Sequence, residues 1–564
     1  MPYSVRETIL MSSESSLPPN APNETEVYAV HGADPEILAY AMAKYSRSAL
    51  TMRESLAEIS AQRAEQFLNT FYFEYGHRSI ADLAHIAFAV ERLSLLAAIV
   101  LVDETRWDGQ ERSTRYQNFA KSGWYVPEFG PDTASAQLYS QTIDNLFAAY
   151  QRVGTAVFHY LHQRVPRPTT LKVESYDRIL RARAFDVARY LLPLATNTSL
   201  GQIVSARTLE TQVSRLLSHP VIEVRVLGIK LREAAASPAW NVGAPAAMAF
   251  IAKLFAFEKQ ASLKSESAGP VRGKQEKETA SSTEGPLAAE AASLFTRDVC
   301  TAPTLVKYAQ PNDYLIKTRA ELAQAAAELL RDPPAFAPLV DLVERSESLE
   351  VELAATLIYS VSHHPYRQIR DLVMHLPGTR IAEFIELGIR HRGRHDEVLR
   401  AFQVGAAIRF DILMDIGGFR DMHRHRRCTQ IIQGFTPQHG YETPRSGDLP
   451  PDVDILAESG AMNDFCSAIE SAHQASATIA AGTAPEADQS ARYLLPLATR
   501  IRALFKMDFA EAQYICELRS APAGHFSYRR VAWEMFLKLQ SQYPTLARNI
   551  RVTDFTQPID ILQR

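Results

Sequence analysis

The run MHRHRRCTQ (422–430) holds Arg424, His425, Arg426 and Arg427 in unbroken succession. Guanidinium groups present donors in a rigid fork that matches phosphate, and imidazole can polarise a heterocycle. The bland reading is a solvated surface patch. Against it, the stretch before the run, ILMDIGGF, is apolar and glycine-containing, as at the edge of a site. A second cationic segment is VDETRWDGQERSTRYQNF (102–119), in which Ser113 and Arg115 stand two apart. On an extended segment they point the same way and could grip one phosphate; an ordinary turn with an exposed arginine fits the spacing equally well. A third element occurs twice, since ARYLLPLAT fills both 188–196 and 491–499. Each copy sets an arginine, Arg189 or Arg492, four residues before a proline. Flanked by Tyr-Leu-Leu, such a guanidinium is half buried and needs an anion, either an internal carboxylate or a ligand phosphate. His423, His425 and His439 could be zinc ligands, but no metal is expected.

Other chemistries are excluded by missing motifs. The chain has no GxGxxG after a strand, no GxxxxGK[ST], no HExxH and no GxSxG. A net charge of −4 gives no global basic field for nucleic acid. Four scattered cysteines form no CxxC, which suits a reducing cytoplasm and neither a zinc ribbon nor a disulfide scaffold. The N-terminal stretch lacks the apolar core of a signal peptide, and no apolar run is long enough to span a membrane. At 46% apolar and 22% charged residues, the chain reads as a cytoplasmic globular protein with material for large cores.

The elements that must position these arginines come in two sets. Residues 258–286, rich in Ser, Lys, Glu and Gly, are expected to stay disordered as a linker. They separate a first domain, 27–257, from a second, 287–564, and residues 1–26 read as a mobile tail. The order of elements repeats. An amphipathic helix opens each half, DPEILAYAMAKYSRS and LEVELAATLIYSVS; YGHRSIADLAH is answered by RGRHDEVLRAF. The alternating runs HIAFAVE and AIRFDILMD predict strands. LSLLAAIVLV (93–102), apolar all round, predicts a buried helix at a subunit contact. Strands and helices mix without a βαβ rhythm, so the class is α+β, with a mixed sheet flanked by long helices in each copy.

Taken together, these segments resemble the flavin-dependent thymidylate synthases, whose pattern runs G-H-x-S-x-x-E-H, R-H-R-x-x-S-x-N-x-x-S-x-R-Y, A-R-x-x-L-P, then N-x-R with a final arginine nine residues on. The first half supplies Gly76-His77-Arg78-Ser79 and Asp82, then Ser113, Arg115 and Tyr116, then Arg189 and Pro193, then Ser205-Ala206-Arg207. It has Leu83 for the second histidine, Asp103-Glu104-Thr105 for R-H-R and Leu216 for the final arginine. The second half is complementary. It has Arg424-His425-Arg426, Arg492 and Pro496, and Arg519, but Gly434 and Thr436 replace S-x-R, and Asp508 and Ala510 replace N-x-R.

The resemblance implies two tandem copies of one domain and active sites shared between copies. It further implies FAD as cofactor, with NADPH and methylenetetrahydrofolate as co-substrates, and reductive methylation of dUMP at C5. By resemblance, His77, Ser79, Asp82, Arg207, Arg424, His425 and Arg426 would hold FAD. Ser113, Arg115, Arg189, Arg492 and Arg519 would hold the nucleotide, Arg519 near the pyrimidine as the catalytic group. Because the family builds homotetramers, two fused copies imply a homodimer forming a pseudo-tetramer. A relative acting on another pyrimidine nucleotide, and a non-catalytic flavin or nucleotide binder, are the alternatives.

Overall fold

The computed structural model describes residues 34–44, 56, 78–241, 244–266, 286–295 and 298–562, apart from 308, 345, 394–395, 445–453, 483, 485, 549 and 559. The expected N-terminal tail lies outside them, as do 267–285 of the expected linker. The ends of that linker are ordered: the helix Ala244–Glu266 runs through its first nine residues, and Pro286–Phe295 is a second helix. The carboxylate of Glu258 ties them together, accepting from the backbone N–H groups of Leu287 and Ala288.

The first repeat folds into strands β1 (His85–Ser94), β2 (Asp108–Glu111) and β3 (Asn197–Ser205), in the order β1-β3-β2. The second carries β4 (Val340–Leu342), β5 (Ile408–Asp415), β6 (Thr429–Ile432) and β7 (Arg500–Met507), in the order β4-β5-β7-β6. The α+β class and the tandem duplication hold, with β5, β6 and β7 repeating β1, β2 and β3. The sheets are antiparallel rather than mixed among the described residues. β1 and β2 do run the same way, but β3 lies between them and runs against both. Register confirms the equivalence: Ser94 faces Asn197 at the end of β1, as Asp415 faces Arg500 at the end of β5. Each of these two residues then caps a seven-residue helix with its side chain, Leu95–Leu101 and Ile416–Met422.

The apolar helix expected at a subunit contact is buried by this chain itself, against β1, β3 and the helices Ala206–Leu217 and Ile222–Ala236. It therefore calls for no partner subunit. The longest helix, Thr133–Arg164, starts at Asp132, which accepts from the N–H of Ser135, and ends at Val165 before Pro166. Its apolar stripe, Tyr139, Ile143, Leu146, Tyr150, Val153 and Val157, recurs at helical spacing. The helix packs on Met462–Ala480 of the second repeat. One continuous core, including Leu146, Leu191, Leu494 and Ile501, spans both repeats.

The two nonapeptides meet at the centre of that core. Pro193 and Pro496 form an antiparallel bridge. Leu194 N–H donates to Leu495 O (2.9 Å) and Leu497 N–H to Leu192 O (2.9 Å); Ala195 N–H donates to Tyr493 O (2.9 Å) and Ala498 N–H to Tyr190 O (3.0 Å). Such reciprocity is the signature of a two-fold contact, in which one surface must complement itself. It supplies a structural reason for both copies to keep the same sequence.

One sheet face differs sharply between repeats. Ala87, Ala89, Gly201 and Ile203 are exposed in the first. Register places Arg409, Asp411, Leu504 and Lys506 at these positions in the second, all buried. There the helices Leu349–Tyr359 and Tyr366–Met374 cover the face and satisfy its charges. Lys506 Nζ donates to Glu352 Oε1 (2.9 Å), Arg502 Nη1 to Asp411 Oδ2 (2.9 Å) and Tyr359 OH to Asp411 Oδ1 (2.8 Å). Period-two charge along β5 and β7 reads in sequence as a solvated face; paired ions make it a buried one.

Candidate functional site

The exposed face of the first sheet forms one wall of a cavity of about 720 Å³, lined there by Ala87, Trp107, Gly201 and Ile203. Arg420, Arg424 and Arg426 of the second repeat form the other wall. Close packing fixes both walls. A Cβ on Gly109 would stand 2.3 Å from the carbonyl oxygen of Gly201 across the strands. A Cβ on Gly418 would stand 2.6 Å from Ser527 Oγ, so the Gly417-Gly418 pair lets the short helix before the cationic run seat closely. Arg424 and Arg426 of the run thus border this cavity, while Arg427 is exposed.

Arg424 is exposed and makes no hydrogen bond or ion pair among the described residues. Arg426 lies over the Trp107 ring at 4.6 Å, a cation–π contact, with Asp108 at 3.7 Å. Trp107 is held by its indole N–H, which donates to Gln202 Oε1 at 2.7 Å. His425 points away from this wall and is buried. Its Nε2 accepts from Arg519 Nε at 2.7 Å, and Nδ1 lies 3.3 Å from Glu511 Oε1. Burial first, and the Arg519 charge second, lower its pKa to about 3, so the ring is neutral and serves as an acceptor. It positions Arg519 and does not present itself to a cofactor. With Nε engaged, Arg519 keeps two amino groups without a hydrogen bond among the described residues, and its guanidinium sits 5.5 Å from the Tyr528 ring.

Tyr528 is where the repeats meet. Arg115 of the first repeat donates from Nη1 to Tyr528 OH (2.9 Å) and from Nη2 to Ala523 O (3.0 Å). Its Nε donates to Asp186 Oδ1 at 2.7 Å, and Nη2 to Asp186 Oδ2 at 3.3 Å. Of the two readings of Ser113 and Arg115, the turn is the one seen, but its arginine is buried rather than exposed. The segment turns, and Ser113 Oγ accepts from the N–H of Arg115 at 3.3 Å. Serine makes such local bonds readily, and they replace strand geometry with a turn. Arg115 is buried and saturated by protein partners.

The two nonapeptide arginines separate in role. Arg189 is buried and reaches Asp421 Oδ2 at 3.4 Å and Thr114 Oγ1 at 3.5 Å, while its Nε has no partner. Arg492, in the second repeat, donates to Asp488 Oδ2 at 2.5 Å and lines a different cavity. Both thus find internal carboxylates. Burial pushes the Asp421 carboxyl pKa up, but Arg189, Arg115, Arg424 and Arg519 outweigh it and hold the pKa below the usual value. Four guanidiniums from both repeats therefore share one neighbourhood with two carboxylates, Asp186 and Asp421.

Of the remaining expected residues, His77 lies outside the described residues, as does the side chain of Ser79. Asp82 pairs with Arg207 at 3.1 Å and with Arg106 at 3.3 Å, next to Trp107 in sequence. At the place equivalent to Arg424-His425-Arg426, the first repeat has exchanged cations for acids. Asp103 pairs with Arg400, and Glu104 lies 2.7 Å from Arg215. Against the pull of burial, Arg400 and then His423 hold Asp103 well below the usual carboxylate range. The lost triplet thus became a tie between repeats. Trp107, Asp186, Asp421 and Tyr528 escaped the motif-based reading; Trp107 alone carried a signal, as an aromatic inside an Arg-rich polar segment.

The model of the thymidylate synthase complementing protein family matches residues 28–237 and again 339–545. A UPF0159 protein of Chlamydia muridarum is 26% identical over 560 residues, covering 93% of this chain and 91% of its own length. A UPF0159 protein of Thermoplasma acidophilum is 23% identical over 546 residues, covering 91% and 94%. Two solved structures align with 36% of the chain. One is a UMP/dUMP methylase from Streptomyces cacaoi bound with 5-Br dUMP (18% identity, 85% of that chain, TM-score 0.26). The other is a flavin-dependent thymidylate synthase from Helicobacter pylori complexed with FAD and dUMP (17%, 89%, TM-score 0.22). The two family matches fall on the two structural repeats and together span most of the chain, which belongs to the flavin-dependent thymidylate synthase family as a tandem duplication.

Proposed function

We propose that the chain modifies a pyrimidine nucleotide, dUMP by family membership, at one composite site built from both repeats. The observation that carries this reading is the convergence of Arg115 and Arg189 with Arg424 and Arg519 around Asp421. Of the four, Arg424 and Arg519 make no ion pair among the described residues, and their two charges match a phosphate monoester dianion. Arg519, held by neutral His425, offers its free amino groups to the ligand, and Arg189 has an unpaired Nε. The adjoining cavity suits FAD: small residues on the first sheet leave room, and Arg424 and Arg426 supply cations beside Trp107. Arg207 and Asp82 would close its far side, with Ser79 and His77 by resemblance. Bound there, FAD supplies hydride for reductive methylation, with methylenetetrahydrofolate as one-carbon donor and NADPH as reductant. The residues contribute positioning and electrostatic complementarity.

A second reading, a non-catalytic nucleotide or flavin binder, draws on the saturation of Arg115 by Asp186 and of Arg207 by Asp82. The discriminating experiment begins with the visible flavin spectrum of the purified chain. It continues with tritium release from 5-tritiated dUMP in the presence of methylenetetrahydrofolate and NADPH. Release that Arg519→Gln abolishes supports the enzyme. Flavin binding without release supports the binder, and a chain that takes up neither ligand refutes both. A cytoplasmic homodimer is part of the proposal; light scattering that finds a stable monomer of 62.9 kDa would overturn that part.

A further inference from the structure

The second repeat carries a cavity of about 490 Å³ that is separate from the composite site and lined wholly by its own residues. Register explains why it is hollow. Where the first repeat places Ser113, Arg115 and Asp186, the second has Gly434, Thr436 and Gln489. The buried Arg115–Asp186 pair that fills the first repeat beside Arg189 is thus absent beside Arg492. Arg319, exposed on the helix Asp313–Leu329, lines this space and makes no hydrogen bond or ion pair among the described residues. Arg492 keeps an Nε with no partner, and the buried Ser362 Oγ and His363 Nδ1 are also without one. Buried polar atoms of that kind are costly unless something fills their valence. One carboxylate, Asp488, faces two guanidiniums. Ala323, Val361, Phe435 and Leu495 add an apolar wall to the lining.

From this geometry we infer a second ligand site, which takes a small phosphomonoester: its phosphate lies between Arg319 and Arg492 with Ser362 and His363, and its organic body lies on the apolar wall. The inference does not rest on the function proposed for the composite site. The volume is in the ordinary range for small-ligand pockets.

The test is calorimetric titration of the full chain with dUMP as phosphomonoester and inorganic phosphate as the bare anion. Two dUMP-binding events per chain are expected. Arg319→Gln weakens one of them by at least about 10-fold, the loss of a charge-assisted contact. Arg519→Gln weakens the other, so failure of the composite site leaves this one standing. A double variant, Thr436→Arg with Gln489→Asp, rebuilds the pair of the first repeat and should remove the Arg319-dependent event while the melting temperature holds or rises. Inorganic phosphate should compete at the Arg319-dependent event more weakly than dUMP binds. A single binding event insensitive to Arg319→Gln overturns the inference. So does a second event that survives both Arg319→Gln and the double variant.

Discussion

Ser94 donates to Glu223 Oε2 at 2.6 Å, and the second repeat makes the same contact with the partners exchanged, Ser527 donating to Asp415. Ser94 and Asp415 are equivalent helix caps, and Glu223 and Ser527 are equivalent positions on the following helices. One hydroxyl and one carboxylate are kept at each place while their order along the chain is free.

Substituting one member should therefore fail where substituting both succeeds. S94D alone sets a second carboxylate against buried Glu223 and should cost about 1–3 kcal/mol. Adding E223S should recover much of that loss, though not all, because Tyr493 OH also donates to Glu223, at 2.7 Å. Chemical denaturation of both singles and the double measures the coupling, and strictly additive losses would refute the exchange.

Arg115 and Arg426 come from complementary halves of the split motif yet should respond differently to alanine. Arg115→Ala removes the guanidinium that forks onto buried Asp186 and should destabilise the fold by about 3–5 kcal/mol. Arg426→Ala removes a partly exposed cation from Trp107 and should change stability by less than about 1 kcal/mol. Its effect should fall on flavin affinity, by about 10-fold or more. Melting curves read alongside flavin titrations separate the two. Equal stability losses would mean that both arginines are structural.

Neutral His425 makes the fold sensitive to acid. Its folded pKa, about 3, is depressed by burial and then by Arg519, so the unfolded chain takes up the proton first. Its contribution is complete above the ordinary histidine value of about 6.5. It is then lost as pH falls from there toward 3. Asp415 works in the opposite sense between about 4 and 6, because burial raises its folded pKa to about 6. Comparison with His425→Gln isolates the histidine: the variant's unfolding free energy should fall less steeply with acidification below pH 6.5. An unchanged slope would place the proton elsewhere.

Much of this was legible in the sequence because it resides in spacing. The strands read over 85–91 and 407–415 follow from alternation, and the loss of R-H-R at 103–105 and the complementarity of the two repeats follow from gapless counting. What escaped depends on contacts between distant residues. Nothing local to Arg115 announces that Asp186, seventy-one positions on, will saturate it. Nothing local to Lys506 or Asp411 says that helices will cover their face. The turn at Ser113 was one of two readings open in the spacing, but the burial of its arginine was not. The linker was bounded by composition, which is blind to the helix that carries Glu258 to Leu287.

The paired nonapeptides decide what separation of the repeats should do. Four backbone hydrogen bonds cross from Tyr190–Ala195 to Tyr493–Ala498, and the core continues through them. A first repeat expressed alone leaves Leu191, Leu192 and Leu194 facing water, with carbonyl and N–H groups unpaired; a second repeat alone does the same with Leu494, Leu495 and Leu497. Burying each such side chain is worth about 1.5–3 kcal/mol, comparable when summed to the whole stability of a domain. Each repeat alone should therefore be insoluble or lack fixed tertiary packing, and co-expression should recover a near-ultraviolet circular dichroism spectrum like that of the intact chain. Proteolytic nicking within 267–285, by contrast, cuts none of these contacts, and the two fragments should co-elute in gel filtration with flavin binding unchanged. Two repeats that fold separately, or nicked fragments that drift apart, would show that the seam is a packing accident and not the reason for the repeated sequence.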